Sequence, residues 1–453
     1  MLCEVHAEIT ETRPCRPLGA YEVRFQPAKS PYTPIHWRHR LLLEFVMKTK
    51  LLLGIVPSAL SLLISGAYAA ESEHTMYRVI NLGDPEGGTL SQGTSNNQEG
   101  WVVGFSTLPG NAVMQAELWR DGTAESLGTL GGPNSAVAWP NRNDHGVIVG
   151  IAETAELQPN NEAWSCSIAV FPGAPDGHVC RGFVWRDGVM TRLPTLGGDN
   201  GFATGVNNRD EIVGWAENQT HDPTCNEFTN TNQLLQFEAV MWVWKGDHYE
   251  AAALPPYPGD LDGAATAINQ AGAVVGISGI CDAAVGGGTA EHMVVWKDGQ
   301  VVLSLPTLGG AYWNTPMDIN NRDNVVGFSD LPGDGPTIAQ ANFHAFFWSA
   351  RPFACNGKTV TGTCDLGGLV PGDLTEALGV NDRDQVVGVS ILTGHAFLWE
   401  NGTMTDLNKL VVSGTTLTLT DAQDINDRGE ITGIAKDPST GAYEAFKAIP
   451  VKD

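Results

Sequence analysis

Three histidines each stand four residues ahead of a tryptophan: His292, His344 and His395. Imidazole nitrogens are common zinc ligands, and a shared ion would have to lie about 2 Å from all three rings. The repeat described below puts the three histidines on neighbouring packed sheets, which are on the order of 10 Å apart. The pattern therefore predicts that each histidine bonds within its own sheet and that the three do not share a zinc ion.

Two glycine-rich acidic segments could bind a cation or act as acid and base. Asp260 and Asp262 lie in Gly-Asp-Leu-Asp-Gly, and Asp330 and Asp334 lie in Asp-Leu-Pro-Gly-Asp-Gly. Asp260 and Asp262 are candidate calcium ligands, although neither segment matches the twelve-residue calcium loop. The alternative is that both segments are solvated turns. No other cofactor is expected. Carboxylates from different units could hydrolyse a glycan, but the chain contains no GxSxG, HExxH, P-loop or Rossmann motif.

Three tryptophans fall outside the repeat pattern and are predicted to bind a ligand. Trp139 replaces a small residue on the first strand of its unit, and Trp164 and Trp313 lie in or near variable loops. Exposed tryptophan suits sugar rings or apolar protein surfaces. The alternative for each is local packing beneath a loop.

Six cysteines follow residue 69, an even number that suggests disulfides in an exported chain. All six are expected in inserts. We predict the pairs Cys166–Cys180 and Cys355–Cys364 within single loops, and Cys225–Cys281 between corresponding loops of adjacent units. The absence of a CxxC spacing argues against zinc or redox chemistry.

These residues are set in a sequence that repeats itself seven times. The repeated motif is Asn-x-x-[Gly/Asp]-x-[Val/Ile]-[Val/Thr]-Gly, and successive copies are 46, 64, 62, 51, 61 and 45 residues apart. The motif predicts a tight turn that starts at Asn, has a positive φ three residues later, and leads into an apolar strand. The copies start at Asn97, Asn143, Asn207, Asn269, Asn320, Asn381 and Asn426.

A second repeated feature is an apolar strand that ends in tryptophan and is often followed by Asp-Gly or Asn-Gly, which favours a hairpin. A short outer strand that ends in Leu then completes most units. Four short strands per unit, apolar on both faces, predict an all-β fold: a seven-bladed β-propeller of four-stranded blades. The expected anchors are Trp119, Trp185, Trp244, Trp296, Trp348 and Trp399, with Phe446 in the seventh copy.

The seventh unit lacks an outer strand, and the segment 77–82 (YRVINL) offers a spare one. We expect this N-terminal strand to join the C-terminal blade and close the ring, which would leave no open sheet edge. The alternative is an open or six-bladed array with one degenerate unit.

The segments FHAFFW (343–348) and HAFLW (395–399), with LxxLGG and INxxGxVVG, resemble the HAF (His-Ala-Phe) extracellular repeat family. The resemblance covers residues 70–453. It implies a β-propeller-like fold and export, and it brings no assigned reaction.

Residues 47–69 have the pattern of a secretory signal peptide. A short basic start precedes the apolar run 51–64, and Ala67 and Ala69 fit a cleavage site after Ala69, or alternatively after Ala70. Residues 1–46 are then an N-terminal extension, disordered or upstream of a true start at Met47; a long n-region is the alternative. We expect residues 70–453 to form a single domain that is secreted, periplasmic or at the cell surface.

The charge of the chain limits the classes of molecule that it can be expected to bind. Lys+Arg 26 against Asp+Glu 51 gives a net charge of −25, which disfavours nucleic acid, and the mature chain shows no segment for membrane insertion. We predict a monomeric, non-enzymatic propeller that binds a glycan or an extracellular protein through its loop face. The alternative is a carbohydrate-active hydrolase or lyase with carboxylates at the central depression.

Overall fold

A computed structural model describes residues 75–451, except 142, 161, 163–165, 167–169, 172–176, 226–232, 282–290 and 336–339. The predicted extension (1–46) and signal peptide (47–69) lie outside the described residues. In the part that is described, no helix is long and apolar enough to cross a membrane.

Seven four-stranded antiparallel sheets surround one axis, as the repeat predicts. The first strand, β1, spans Tyr77–Gly83. Blades 1 to 3 follow it along the chain. Blade 1 contains β2 (Ser91–Asn96), β3 (Val102–Thr107), β4 (Met114–Arg120) and β5 (Thr123–Gly128). Blade 2 contains β6 (Gly131–Ala136), β7 (Ile148–Leu157), β8 (His178–Arg186) and β9 (Val189–Arg192). Blade 3 contains β10 (Gly201–Val206), β11 (Ile212–His221), β12 (Leu235–Trp244) and β13 (Tyr249–Ala253).

The remaining four blades continue in the same order. Blade 4 contains β14 (Asp262–Ile268), β15 (Val274–Gly279), β16 (His292–Lys297) and β17 (Gln300–Leu305). Blade 5 contains β18 (Asn314–Ile319), β19 (Val325–Asp330), β20 (Phe343–Cys355) and β21 (Lys358–Gly367). Blade 6 contains β22 (Thr375–Val380), β23 (Val386–Ser390), β24 (His395–Glu400) and β25 (Thr403–Asp406), followed by a short 3-10 helix, Leu407–Leu410. Blade 7 contains β26 (Thr418–Ile425), β27 (Ile431–Lys436) and β28 (Tyr443–Pro450), with β1 at its outer edge.

The two faces of the ring differ because connections in an antiparallel sheet alternate between its ends. Turns from the first to the second strand of each blade emerge on one side, which we call the Asn-turn face. Loops from the second to the third strand emerge on the other side together with the links between blades. We call this side the loop face.

Each motif asparagine holds its own turn together. In blade 5, the Oδ1 atom of Asn320 accepts hydrogen bonds from the backbone N–H groups of Arg322 and Asn324, both at 3.0 Å. The residue three places after each asparagine has a positive φ, between 60° and 84°, as the motif predicts. These residues are Gly100, Gly146, Asp210, Gly272, Asp323, Asp384 and Gly429.

The glycine that ends the motif allows the first two strands of a blade to approach closely. A Cβ atom at Gly104 would collide with the carbonyl oxygen of Gln92 on the innermost strand. The same collision with an innermost-strand carbonyl would occur at Gly150, Gly214, Gly276, Gly327, Gly388 and Gly433. Any side chain at these positions would force the strands apart.

The motif asparagines also connect neighbouring blades. The Nδ2 group of each one donates to the backbone carbonyl of the corresponding asparagine in the next blade, and Asn426 of blade 7 donates to Asn97 of blade 1 at 2.9 Å. We call this closed set of seven hydrogen bonds the amide ring. Its other six bonds are Asn97 to Asn143 (3.4 Å), Asn143 to Asn207 (2.8 Å), Asn207 to Asn269 (3.1 Å), Asn269 to Asn320 (3.0 Å), Asn320 to Asn381 (2.9 Å) and Asn381 to Asn426 (3.0 Å).

A second set of bonds surrounds the mouth of the axis on the Asn-turn face. In six blades the residue after the motif asparagine accepts, through its side chain, the backbone N–H of its counterpart in the preceding blade; Asp382, for example, accepts from Asn321 at 2.7 Å. Gln98 completes the set by donating its Nε2 to Asp427 at 2.9 Å. These side chains line a depression of about 130 Å³.

Strand register identifies the aromatic anchors and corrects two of the predicted ones. The anchor pairs with the first β-branched residue of the motif, as Trp119 does with Val102. In blade 3 this partner is Trp242, not Trp244. In blade 7 it is Ala448, whereas Phe446 pairs opposite the motif glycine. The predictions for Trp244 and Phe446 were wrong because the blade 3 strand runs two residues longer and blade 7 lacks the large anchor.

The N-terminal strand pairs with the C-terminal strand, as predicted. Ile80 lies opposite Lys447 and Asn81 opposite Phe446 in an antiparallel register. Tyr77 is fully buried and packs with Leu407 and Leu410 beside this sheet. The strand therefore covers what would otherwise be the outer edge of β28.

Deletion of residues 70–82 should lower the melting temperature by at least about 5 °C, because it exposes the β28 edge and removes the buried Tyr77 ring. Deletion of residues 70–75, which keeps the strand, is the matched control. Thermal unfolding followed by circular dichroism measures both. An unchanged melting temperature in the longer deletion would show that the strand does not stabilise the ring.

Replacement of Asn320 by Ala should destabilise the protein by about 2–4 kcal/mol, since it removes two turn bonds and the bonds to Asn381 and Asp384 from a buried site. The control is Asn321→Ala in the same turn, an exposed residue, which should cost less than about 1 kcal/mol. Urea unfolding gives both values. Equal losses would mean that the amide ring contributes little.

Candidate functional site

Each of the three motif histidines bonds to a carboxylate close to its own blade, as predicted. The Nδ1 atom lies 2.9 Å from Asp260 in His292, 2.8 Å from Asp365 in His344 and 2.9 Å from Asp406 in His395. The hydrogen bond to Asp365 raises the pKa of His344. These pairs fix the ends of the third strand and leave the three rings without a common centre.

The three predicted disulfides are present: Cys166–Cys180, Cys225–Cys281 and Cys355–Cys364. Their setting differs in part from the prediction that all lie in inserts. Cys355 ends β20 and Cys364 lies within β21, so this bond crosses an extended outer hairpin rather than a loop. The prediction was wrong there because β-strands continue past the usual blade width in blade 5.

The inserts of blades 2, 3 and 4 are joined to one another on the loop face. Cys225, after β11, is bonded to Cys281, after β15. Glu162 from the blade 2 insert is buried and accepts the backbone N–H groups of Leu234 (3.0 Å) and Leu235 (2.6 Å) in blade 3. These contacts link the described parts of the three inserts to one another.

Two of the three predicted tryptophans, Trp139 and Trp313, lie in the described residues, and both are largely packed against other rings. Trp139 is partly buried and makes edge contacts with Phe202 and Trp215, at centroid distances of 5.3 and 6.0 Å. Trp313 is only 4% exposed and stacks on Phe343. Trp164 lies outside the described residues. Ligand binding by these residues stays a prediction, and Trp313 presents almost no surface to a ligand here.

The two calcium candidates turn to different partners. Asp260 lies with Glu291 and His292, the ligating atoms of the three being within 4.8 Å of one another. Asp262 is fully buried and accepts the backbone N–H of Phe237 at 3.0 Å. Burial, together with a shared proton with Asp222, raises the pKa of Asp262 to about 9. Calcium binding at this segment stays a prediction.

Asp330 and Asp334 form a second carboxyl pair. Asp330 is fully buried and accepts the N–H of Trp313 at 3.0 Å, and Asp334 accepts the N–H groups of Ala311 (2.8 Å) and Tyr312 (3.1 Å). Burial and the hydrogen bond with Asp334 raise the pKa of Asp330 to about 8. Burial alone would raise the pKa of Asp334, but its hydrogen bonds outweigh burial and lower it. The pair caps the loop that leads into β18.

Three leucines on the loop face are exposed, and the repeat pattern did not predict them. Leu157 is 70% exposed, Leu234 36% and Leu261 38%. Leu234 is held through Glu162, and the side-chain amide of Gln236 donates to the carbonyl of Leu261 at 2.6 Å. One feature of the sequence could have identified them: each leucine stands in a polar segment next to an insert and not in an apolar strand.

Solved structures with a similar fold come from proteins of different activities. A gluconolactonase from Xanthomonas campestris is 10% identical over 83% of this chain and 91% of its own (TM-score 0.36). An acylaminoacyl peptidase from Pyrococcus horikoshii is 10% identical over 82% of this chain and 54% of its own (TM-score 0.40). A sialidase from Trypanosoma rangeli is 10% identical over 76% of this chain and 59% of its own (TM-score 0.33). These similarities concern the fold alone.

No family model matches the chain, and no curated protein does. Membership of the HAF repeat family therefore stays a prediction.

Asp330→Asn should stabilise the protein at high pH and leave its stability near pH 4 almost unchanged. The folded pKa of about 8 lies above the ordinary 3.8, so the unfolded chain loses its proton first and wild-type stability falls as pH rises from about 4 to 8. One pKa unit corresponds to about 1.4 kcal/mol, and we expect a gain of at least about 2 kcal/mol at pH 9.

The measurement is urea unfolding at several pH values, with Asp121→Asn, an exposed turn carboxylate, as the control. A difference between Asp330→Asn and wild type that does not change with pH would contradict the protonated state of this pair.

Proposed function

We propose that this chain is an exported binding propeller that holds a protein partner on its loop face. The observation that carries the proposal is the set of exposed leucines, Leu157 at the end of β7, Leu234 before β12 and Leu261 before β14, beside inserts that a disulfide and a buried glutamate connect. Large apolar side chains on a cross-linked surface are a common feature of protein interfaces.

Connection of the inserts favours binding because a cross-link restricts the conformations that the joined segments can adopt. A partner that meets flexible loops must compensate for their lost conformational freedom, whereas cross-linked loops reduce that cost. Three leucines supply only the apolar centre of a contact, since a standard interface takes about 800 Å² from each partner. Polar groups of the adjoining inserts would supply the rim.

The charge of the chain favours a basic partner. With a net charge of −25, encounter with a positively charged protein is accelerated and encounter with an acidic one is slowed. This attraction weakens as salt is added, because the Debye length is about 8 Å at physiological ionic strength.

The described geometry gives the hydrolase alternative less support. Asp330 lies beside Trp313, where a catalytic carboxylate would be expected, but it is fully buried and its Oδ2 atom accepts the Trp313 N–H. Asp334 is engaged by two further backbone groups. Both carboxyl groups are accounted for as caps of a loop.

Export is part of the same proposal. Three disulfides are typical of proteins that mature in an oxidising compartment, and the signal-peptide pattern at residues 47–69 agrees with this. The site of action would then be the periplasm, the cell surface or the medium.

The test is capture of envelope and culture-fluid proteins of the source organism on immobilised residues 70–453, followed by mass spectrometry. Leu234→Asp with Leu261→Asp should remove the captured partner, because a carboxylate in the apolar centre of an interface is costly. Val302→Asp, at a 57% exposed residue on the outer strand β17, is the matched control and should capture the partner as wild type does.

Capture of the same proteins by wild type, the double leucine variant and Val302→Asp would overturn the loop-face assignment. Binding to a glycan array that the leucine substitutions leave intact would favour the glycan as the ligand instead. Unchanged melting temperatures would show that the substitutions act at the surface.

A further inference from the structure

One position of the repeat differs in charge in blade 2. On the third strand of each blade, one residue pairs with the motif glycine of the second strand. The residue two places before it is a histidine in blades 4, 5 and 6, and each of these histidines bonds to a carboxylate. In blade 2 the corresponding residue is Arg181. On the outer strand, the residue that faces the partner of the motif glycine is Asp365 in blade 5 and Asp406 in blade 6. In blade 2 it is Arg192.

Two guanidinium groups therefore occupy the place that a histidine and an aspartate take in other blades. In the remaining blades this position also has a partner: Gln115 accepts from Ser126 (2.8 Å), Glu238 from Asn218 (2.7 Å) and Glu444 from Asn81 (2.6 Å). Arg181 forms no side-chain hydrogen bond or ion pair with the described residues, and its Nε is buried. The repeat thus leaves one cation unpaired.

The surroundings of Arg181 make an unpaired positive charge there unfavourable in the absence of a ligand. Burial lowers its pKa, and the nearby charge of Arg192 lowers it further; Asp199, Glu156 and Glu217 act in the opposite direction without reaching it. Arg192 pairs with Glu156 at 3.2 Å, but both side chains are about 60% exposed, and such a surface pair holds Arg192 only weakly.

Arg181 lines a cavity of about 810 Å³ between the outer parts of blades 2 and 3, which we call the rim groove. Its walls include Val189, Leu193, Trp244 and Tyr249. Trp244 is 49% exposed and packs against Tyr249 at a centroid distance of 5.0 Å. Among the other groups of the groove, Arg186 forms an ion pair with Asp210, and the Nδ1 atom of His248 lies 2.6 Å from Asp247. Asp187 lies in the β8–β9 turn.

Trp244 is exposed because the β12–β13 hairpin of blade 3 continues two residues past the buried anchor. Trp242 takes the buried anchor position, and the turn Lys245–His248 separates Trp244 from Tyr249. The two aromatic rings consequently stand on the wall of the groove, outside the packed blade.

We propose that the rim groove binds an anionic saccharide, with the acid group on Arg181 and Arg192 and a sugar ring against Trp244. Guanidinium groups match the two oxygens of a carboxylate or sulfate, and an exposed tryptophan face suits the apolar side of a sugar ring. A bare anion would use the arginines but would gain nothing from the aromatic wall. This site is separate from the loop-face leucines and does not depend on them.

The test uses residues 70–453 with two probes, a short oligogalacturonide and the same oligosaccharide with its carboxylates methyl-esterified. Titration calorimetry should show binding of the acid form and a loss of at least tenfold in affinity for the ester. Arg181→Gln should lower affinity for the acid at least tenfold, and Trp244→Ala at least fivefold. Glutamine is a fitting replacement because blade 1 has Gln115 at this position.

Arg120→Gln is the matched control, since Arg120 lies outside the groove, at the end of the corresponding strand of blade 1. It should bind the acid form as wild type does. No binding by wild type, or equal binding by Arg181→Gln, would overturn the site. Tighter binding of an acidic peptide than of the oligogalacturonide, insensitive to Trp244→Ala, would overturn the saccharide as the ligand.

Discussion

The amide of one asparagine in each blade performs two tasks that the ring needs together. Its oxygen closes the turn between the first two strands, and its Nδ2 donates to the same position in the next blade. Turn geometry and blade spacing are therefore coupled through a single planar group. A blade whose turn is misformed cannot direct its Nδ2 correctly, and a blade at the wrong distance leaves a buried donor unpaired, which costs about 1–3 kcal/mol.

This coupling explains why the fold could be predicted so fully from the sequence. Asparagine, a positive-φ residue and a glycine recur at fixed spacing because each meets a steric or hydrogen-bonding need that no common alternative meets, as at Gly104. Element lengths between the copies vary without harm, since loops on the loop face do not enter the ring. The motif residues are thus the ones that the turn and the contact between strands require, and the number of copies gives the number of blades.

Predictions failed where two residues could compete for one structural role. Both Trp242 and Trp244 end an apolar run, and only the register of β11 with β12 shows which ring packs inside. Trp313 also interrupts the repeat, and packing against Phe343 leaves it 4% exposed, while its predicted role in ligand binding stays a prediction. The exposure of a side chain depends on which elements pack over it, and these contacts between distant elements cannot be read directly from the sequence. The leucines of the inserts escaped prediction for the same reason.

A repeat supplies its own reference for judging unusual residues. In six blades the third-strand residue two places before the partner of the motif glycine bonds to a nearby group, so pairing at that position is the general rule of this architecture. Blade 2 departs from this: Arg181 stands two residues before Phe183, which pairs with Arg192, and no side chain of the described residues bonds to Arg181. Arg181 is half-buried and the nearby charge of Arg192 lowers its pKa, so stability alone gives no reason for an arginine at this position. A departure that weakens the fold and faces a cavity is more informative about function than any of the residues that all seven blades share.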